Sequence, residues 1–152
     1  MTSANDMQVG GSHYHNEKGF AHWDLTILLN LDYLLGQATK YPVRWREKGG
    51  LLDLQKSLSY LNKRIEVGGS QALALGGILS FDDRVQAVAE FSTANNLTDL
   101  ERAYILALCT WTEVQDLEAA RALLFLLMDE AEALADAKPV PLTDSNKHAE
   151  RA

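Results

Sequence analysis

The stretch Asp116 to Ala137 reads DLEAARALLFLLMDEAEALADA. Rich in Leu and Ala, it predicts the longest and most apolar helix of the chain, ended by Pro139 and Pro141. Upstream, Thr98-x-x-Glu101 is a capping-box pattern that opens a helix through about Thr110. Ser80 or Asp82 can cap another helix over Val85, Val88, Ala89 and Phe91, which Asn95-Asn96 breaks. In the first half, Trp23 to Lys40 predicts a helix capped by Asp24, with Ile27, Leu28, Leu31, Leu34, Leu35 and Ala38 at helical spacing. Pro42 is expected to end or kink it and to push Tyr41 out of the helical region. A short turn from Pro42 to Gly49-Gly50 leads to a third helix, started by Asp53 and running to about Glu66. Leu54, Leu58, Leu61 and Ile65 form its apolar face.

Strand signals are nearly absent, and Met7 to Val9 is the one place that tolerates a strand. The expected fold is all-α, a small helical bundle of about five or six helices with an irregular N-terminal arm. We expect a motif region over residues 1–66, a Gly-rich linker over 67–79, an acidic helical region over 80–138 and a flexible tail over 139–152. An offset of 63 residues pairs Leu34 with Leu97, Tyr41 with Tyr104, Asp53 with Asp116, Leu54 with Leu117 and Leu61 with Leu124. Chance in a leucine-rich chain is one explanation. A duplicated unit is the other, and in it Ala103 and Ala107 take the places of Lys40 and Arg44.

Hydrophobic residues make up 47% of the 152, enough to build a packed core. Cys109 is the one cysteine, so no internal disulfide can form and a reducing compartment fits. Met1 to Gly11 carries neither the charged head nor the apolar run of a signal peptide. Ala122 to Met128, the longest apolar run, is too short to span a bilayer. We therefore expect a cytoplasmic protein with no membrane partner. The helix Asp116 to Ala137 is too apolar for one small bundle to cover, so we expect a homo-oligomer.

The net charge of −7 argues against general nucleic-acid binding. It hides a polarity. From Lys40 to Arg64 there are seven cations and two acids, 7 − 2 = +5, whereas Asp82 to Asp136 holds three cations and twelve acids, 3 − 12 = −9. So short a basic stretch suits a small anion better than a long polyanion.

Lys40 and Arg44 are four apart and share a face if helical, and Lys48 extends that row. Lys56 can close the cluster from the next helix. Arg grips phosphate with a fork of two hydrogen bonds, and Lys acts as a mobile point charge. Tyr14, Trp23, Tyr41 and Tyr60 are candidates to stack on a base or line its pocket, and His13 to donate to an anion. The competing reading makes Trp23, Tyr41 and Tyr60 core aromatics, and Asp24 and Asp53 caps paired with cations. If the basic row serves a ligand and not the fold, Lys40→Ala and Arg44→Ala should change stability little. No phosphate loop, HExxH pair or nucleophile elbow is present, and catalytic residues are not assigned. His13 and His15, with His22 or Asp24, are a weak metal set, so no metal is expected.

One segment combines Gly10-Gly11-Ser12-His13-Tyr14, Trp23-Asp24, Gly36-x-x-x-Lys40-Tyr41-x-x-Arg44-x-x-x-Lys48-Gly49-Gly50 and Asp53-Leu54-x-Lys56-x-x-x-Tyr60-Leu61. It resembles the phage family known as domain of unknown function 3310, over about Val9 to Glu66. The sequence departs from that pattern at Gln37, where Asn is usual, at Pro42, where an aliphatic residue continues the helix, and at Ser57, where Ala is usual. The resemblance implies a phage-encoded chain. One member is a podophage nucleotide kinase acting on dTMP and dGMP, so it also implies a nucleotide ligand and allows nucleoside monophosphate kinase chemistry. No cofactor is implied beyond ATP or another nucleotide as substrate. Two other readings use the same residues differently. One is a non-enzymatic counter-defence protein that sequesters a nucleotide-derived immune signal. The other is a host-protein interaction module acting through the acidic half.

Overall fold

The structure is a computed structural model that describes residue 4 and residues 19–69 and 79–137. Among these residues the protein is all-α, a small bundle of six helices with no strand. They are α1 (His22–Leu28), α2 (Tyr33–Arg44), α3 (Leu51–Val67), α4 (Phe81–Ala94), α5 (Asp99–Thr110) and α6 (Val114–Ala137). One apolar cluster draws on all six, with Leu25, Leu35, Leu54, Phe91, Leu108 and Leu124 among its members. The arm before residue 19, residues 70–78 of the expected linker and the tail after 137 lie outside the described residues, and so do Met7 to Val9 and both terminal prolines.

The expected helix from Trp23 to Lys40 is two helices. Asn30 adopts the left-handed region at φ 48°. Its N–H reaches Ile27 O, and Leu31 N–H reaches Thr26 O, which closes α1. Asp32 then caps α2, its Oδ1 accepting from Leu35 N at 2.8 Å. Arg64, largely buried over the Trp111 ring, pairs with the other oxygen of Asp32 at 2.8 Å and so ties α3 to this cap. Asp24 does not cap α1 as the N-cap residue. It lies within the first turn, and its carboxylate accepts from Ala21 N.

Pro42 neither ends nor expels its neighbour from α2. The helix runs through it to Arg44, with Tyr41 inside. A proline here removes the N–H that would serve the carbonyl of Ala38, a loss that ordinarily breaks a helix interior. Ser57 Oγ of α3 supplies the missing donor, reaching Ala38 O at 2.6 Å in a buried setting. Tyr104 Oη of α5 completes the chain at 2.8 Å from Ser57 Oγ. Since the Ser57 proton goes to the carbonyl, Tyr104 donates to Ser57. Pro42 and Ser57, two of the three positions that depart from the motif pattern, thus compensate for each other.

The second half follows its caps. Ser80 and Asp83 form a reciprocal box at the start of α4, and Thr98 and Glu101 form one at the start of α5. Asn96, at φ 53°, closes α4 as Asn30 closes α1. Glu101 is buried, and its Oε1 also accepts from Trp45 Nε1 at 2.9 Å and from Arg46 Nε at 2.7 Å.

The duplication is visible in the helices, with a changed alignment. Tyr33 to Arg44 and Asp99 to Thr110 are both 12 residues, so α2 maps on α5 at 99 − 33 = 66, not 63. At that offset buried Leu35, Ala38, Thr39, Pro42 and Trp45 fall on buried Glu101, Tyr104, Ile105, Leu108 and Trp111, while buried Gly36 falls on exposed Arg102. From Leu51 and Val114 onward the offset is 114 − 51 = 63, and buried Leu54, Ser57, Leu61 and Arg64 fall on buried Leu117, Ala120, Leu124 and Leu127. Trp45-Arg46-Glu47 aligns with Trp111-Thr112-Glu113, and the second copy lacks Lys48-Gly49-Gly50. Lys40 and Arg44 therefore correspond to Leu106 and Thr110, not to Ala103 and Ala107. Helices α1 and α4, α2 and α5, and α3 and α6 each pack against one another.

Candidate functional site

The Lys48-Gly49-Gly50 insertion changes the work of the aspartate that follows it. In the second copy, Asp116 is exposed and serves as a cap, its Oδ2 accepting from Thr112 N at 2.9 Å and Glu113 N at 3.0 Å. Its counterpart Asp53 was expected to start α3. Instead the helix begins at Leu51, and Gly50 takes the cap position with φ 54° and ψ −139°, a region that favours glycine. Gly49 leaves the space that the Asp53 carboxylate fills, and a Cβ there would collide with it. Asp53 is thereby turned inward, with 1% of its side chain exposed.

Arg44, at the last turn of α2, meets this carboxylate at 3.1 Å. Lys56, one turn along α3, stands 3.8 Å from the same Oδ1. The other oxygen, Oδ2, is buried and accepts no hydrogen bond among the described residues. Three cations surround the ring of Tyr41: Arg44 at 5.0 Å, Lys56 at 5.6 Å and Lys40 at 5.9 Å from its centroid. Tyr41 stacks on Tyr60 of α3, with centroids 6.1 Å apart and planes 14° from parallel. Tyr33, 68% exposed, meets the edge of Tyr60 at 6.0 Å.

Of the residues expected at the site, Lys40, Arg44, Lys56, Tyr41 and Tyr60 come together. Lys48 is exposed on the turn after α2, and Trp23 is on α1, 42% exposed. His13 and Tyr14 lie outside the described residues. Arg44 corrects one expectation, since it is largely buried against Asp53 and serves the fold as well as the surface. Sequence reasoning missed Tyr33, and of Asp53 as a cap paired with cations the pairing is present, to Arg44 and Lys56, while the cap is not. Tyr33, Lys40, Tyr41 and Arg44 recur at i, i+7, i+8 and i+11, so helical spacing through Pro42 would have found the tyrosine. Among the described residues no group of His, Cys, Asp and Glu could hold a metal ion. No described helix is long and apolar enough to cross a membrane.

Behind the cluster, His22 Nε2 lies 2.8 Å from Thr39 Oγ1. Thr39 gives its own proton to Leu35 O at 2.8 Å, so the imidazole is the donor. Burial, and then Lys40, lower the His22 pKa from 6.5 to about 4. The folded state keeps the ring neutral where the unfolded chain protonates it. Stability from this group is full above pH 6.5 and falls as pH drops toward 4. We expect denaturant melts at pH 7 and pH 5 to show wild type losing about 2 kcal/mol more than His22→Gln. Equal losses in the two chains would show that His22 is not held neutral.

Comparison with protein-family models, with curated proteins and with solved structures finds no match.

Proposed function

We propose that this is a phage-encoded nucleotide-binding accessory protein of the host cytoplasm. The observation that carries the reading is the convergence of Lys40, Arg44 and Lys56 on the face of Tyr41, itself stacked on Tyr60. A nucleotide offers the two chemistries such a patch accepts. Its phosphate suits the cations, and its base suits the exposed aromatic edge that Tyr33 extends. His13 and Tyr14 of the arm are assigned to the same ligand, the first as a donor to its anionic group and the second as a cover for its base. Lys48, exposed on the turn after α2, is assigned to the same ligand as a further cation. The protein is further taken to be a homo-oligomer, without general affinity for nucleic acid.

Nucleoside monophosphate kinase activity is one form of this function, because phosphoryl transfer needs mostly positioning and charge neutralisation. The second form, retention of a nucleotide-derived immune signal without turnover, is favoured by Asp53. The carboxylate within the cluster is engaged by Arg44 and Lys56, which suits an anchor for cations better than a proton acceptor. Incubating the protein with deoxynucleoside monophosphates, ATP and signalling nucleotides, followed by mass spectrometry, separates the two. A retained, unaltered nucleotide supports the binder. A phosphorylated product that appears with ATP supports the kinase.

A further inference from the structure

The duplication gives the Tyr41 patch an internal reference. With the offsets above, Tyr33, Gln37, Lys40, Tyr41 and Arg44 of α2 fall on Asp99, Ala103, Leu106, Ala107 and Thr110 of α5. Lys56 and Tyr60 of α3 fall on Ala119 and Leu123 of α6. The second copy builds the same helix pair with no cation and no aromatic ring at any of these places, so the pair forms without them.

The rings of the patch are not equally open. Tyr41 is half-buried, with Tyr60 stacked on it and Arg44, Lys56 and Lys40 at 5.0, 5.6 and 5.9 Å from its centroid. Tyr60, also half-buried, lies between Tyr41 and Tyr33. Tyr33 is 68% exposed, and Tyr60 meets it with the planes 80° apart, so its far side is open. Tyr33, Gln37, Lys40 and Arg44 recur at i, i+4, i+7 and i+11, one row along the outer face of α2. The Gln37 side chain makes no hydrogen bond among the described residues. Seven residues of helix rise about 10.5 Å, and helical side chains lean toward the N-terminal end, which carries Lys40 back toward Tyr33. A hydrogen bond with Tyr60 raises the Tyr33 pKa and Lys40 acts against that rise, so the ammonium is within electrostatic reach of the ring.

We propose that Tyr33 is the platform on which the ligand's base stacks and that Gln37 reads the edge of that base, with the phosphate held further along α2 by Lys40 and Lys56. This inference rests on the nucleotide reading above and assigns the parts of the ligand to residues. Tyr41 and Tyr60 then act as the support that holds Tyr33 and gathers the cations. An amide offers one acceptor and two donor hydrogens, the groups needed to tell one base edge from another. Stacking on an aromatic ring tolerates any base, so affinity for a base and choice among bases belong to different residues.

Calorimetric titration with the four deoxynucleoside monophosphates and with 2-deoxyribose 5-phosphate, which lacks a base, tests this. Wild type should bind at least one nucleotide about 5- to 150-fold tighter than the sugar phosphate, the range for stacking one base. Tyr33→Leu should remove most of that advantage and leave the sugar phosphate within about twofold, whereas Tyr33→Trp should keep it. Lys40→Ala should weaken nucleotide and sugar phosphate alike. Gln37→Ala should leave the average nucleotide affinity above that of the sugar phosphate but flatten the ranking of the four bases. An advantage that survives Tyr33→Leu in a folded variant overturns the platform and leaves the nucleotide reading intact. Bases ranked alike by wild type, or ranked unchanged by Gln37→Ala, overturn the role of Gln37. A wild-type protein that binds neither nucleotide nor sugar phosphate overturns the nucleotide reading and this inference with it.

Discussion

Replacing Arg44 by Ala is expected to cost about 3–5 kcal/mol of stability, the range for breaking a buried ion pair by removing one partner. The reason is the anion left behind. Asp53 is buried, and Oδ2 already lacks a hydrogen-bond partner among the described residues. Without Arg44, Oδ1 keeps Lys56 at 3.8 Å, a longer and more exposed contact. The unfolded chain solvates the carboxylate freely, so the penalty falls on the folded state. Chemical denaturation measures it. In an Asp53→Asn background the charge is gone, and the same Arg44→Ala change should cost only about 1–2 kcal/mol. A similar loss in both backgrounds would mean that Arg44 contributes packing on Tyr41 rather than charge.

Ser57→Ala is the second large effect. It removes the donor to Ala38 O and the acceptor of Tyr104 Oη together, two buried groups. Unsatisfied buried groups cost about 1–3 kcal/mol each, so a loss of about 2–4 kcal/mol is expected. The double mutant is the sharper test. Pro42→Ala restores an N–H at 42, which can serve Ala38 O within α2. In that background Ser57→Ala should cost about 1–3 kcal/mol less, and the coupling is read from a double-mutant cycle by urea melts. Additive losses would show that Ser57 does not stand in for the bond that proline removes.

Both effects bear on what the sequence discloses. Helical class, the capping boxes at Ser80 and Thr98 and the break at Asn95-Asn96 are written in local spacing and cap chemistry, and the helices follow them. Two features depend on distant partners and are not written locally. Pro42 reads as a helix end until Ser57, fifteen positions on (57 − 42 = 15), is known to lie against Ala38. Asp53 reads as a cap because its counterpart Asp116 is one, and the three-residue insertion before it changes its direction. The alignment at a single offset of 63 fails in α2 for the same reason, since the insertion lies between α2 and α3. Lys40, Arg44, Lys56, Tyr41 and Tyr60 were legible as a group because residue type and helical spacing both point to one surface. The reach of Tyr33 into that surface required α2 to continue through its proline.

The central claim is that the Tyr41 patch holds a nucleotide. Equilibrium dialysis of the folded protein against dTMP, dGMP, ATP and a set of signalling nucleotides, quantified by mass spectrometry, tests it most directly. Lys40→Ala and Lys56→Ala are the variants to compare, because Lys56 is 44% exposed and both lysines border the ring. Wild type is expected to retain at least one nucleotide. Each lysine variant should bind it about 1.5–3 kcal/mol more weakly, roughly 10- to 150-fold, with circular dichroism unchanged. A wild-type protein that retains none of them, or lysine variants that retain them as well as wild type does, would contradict it.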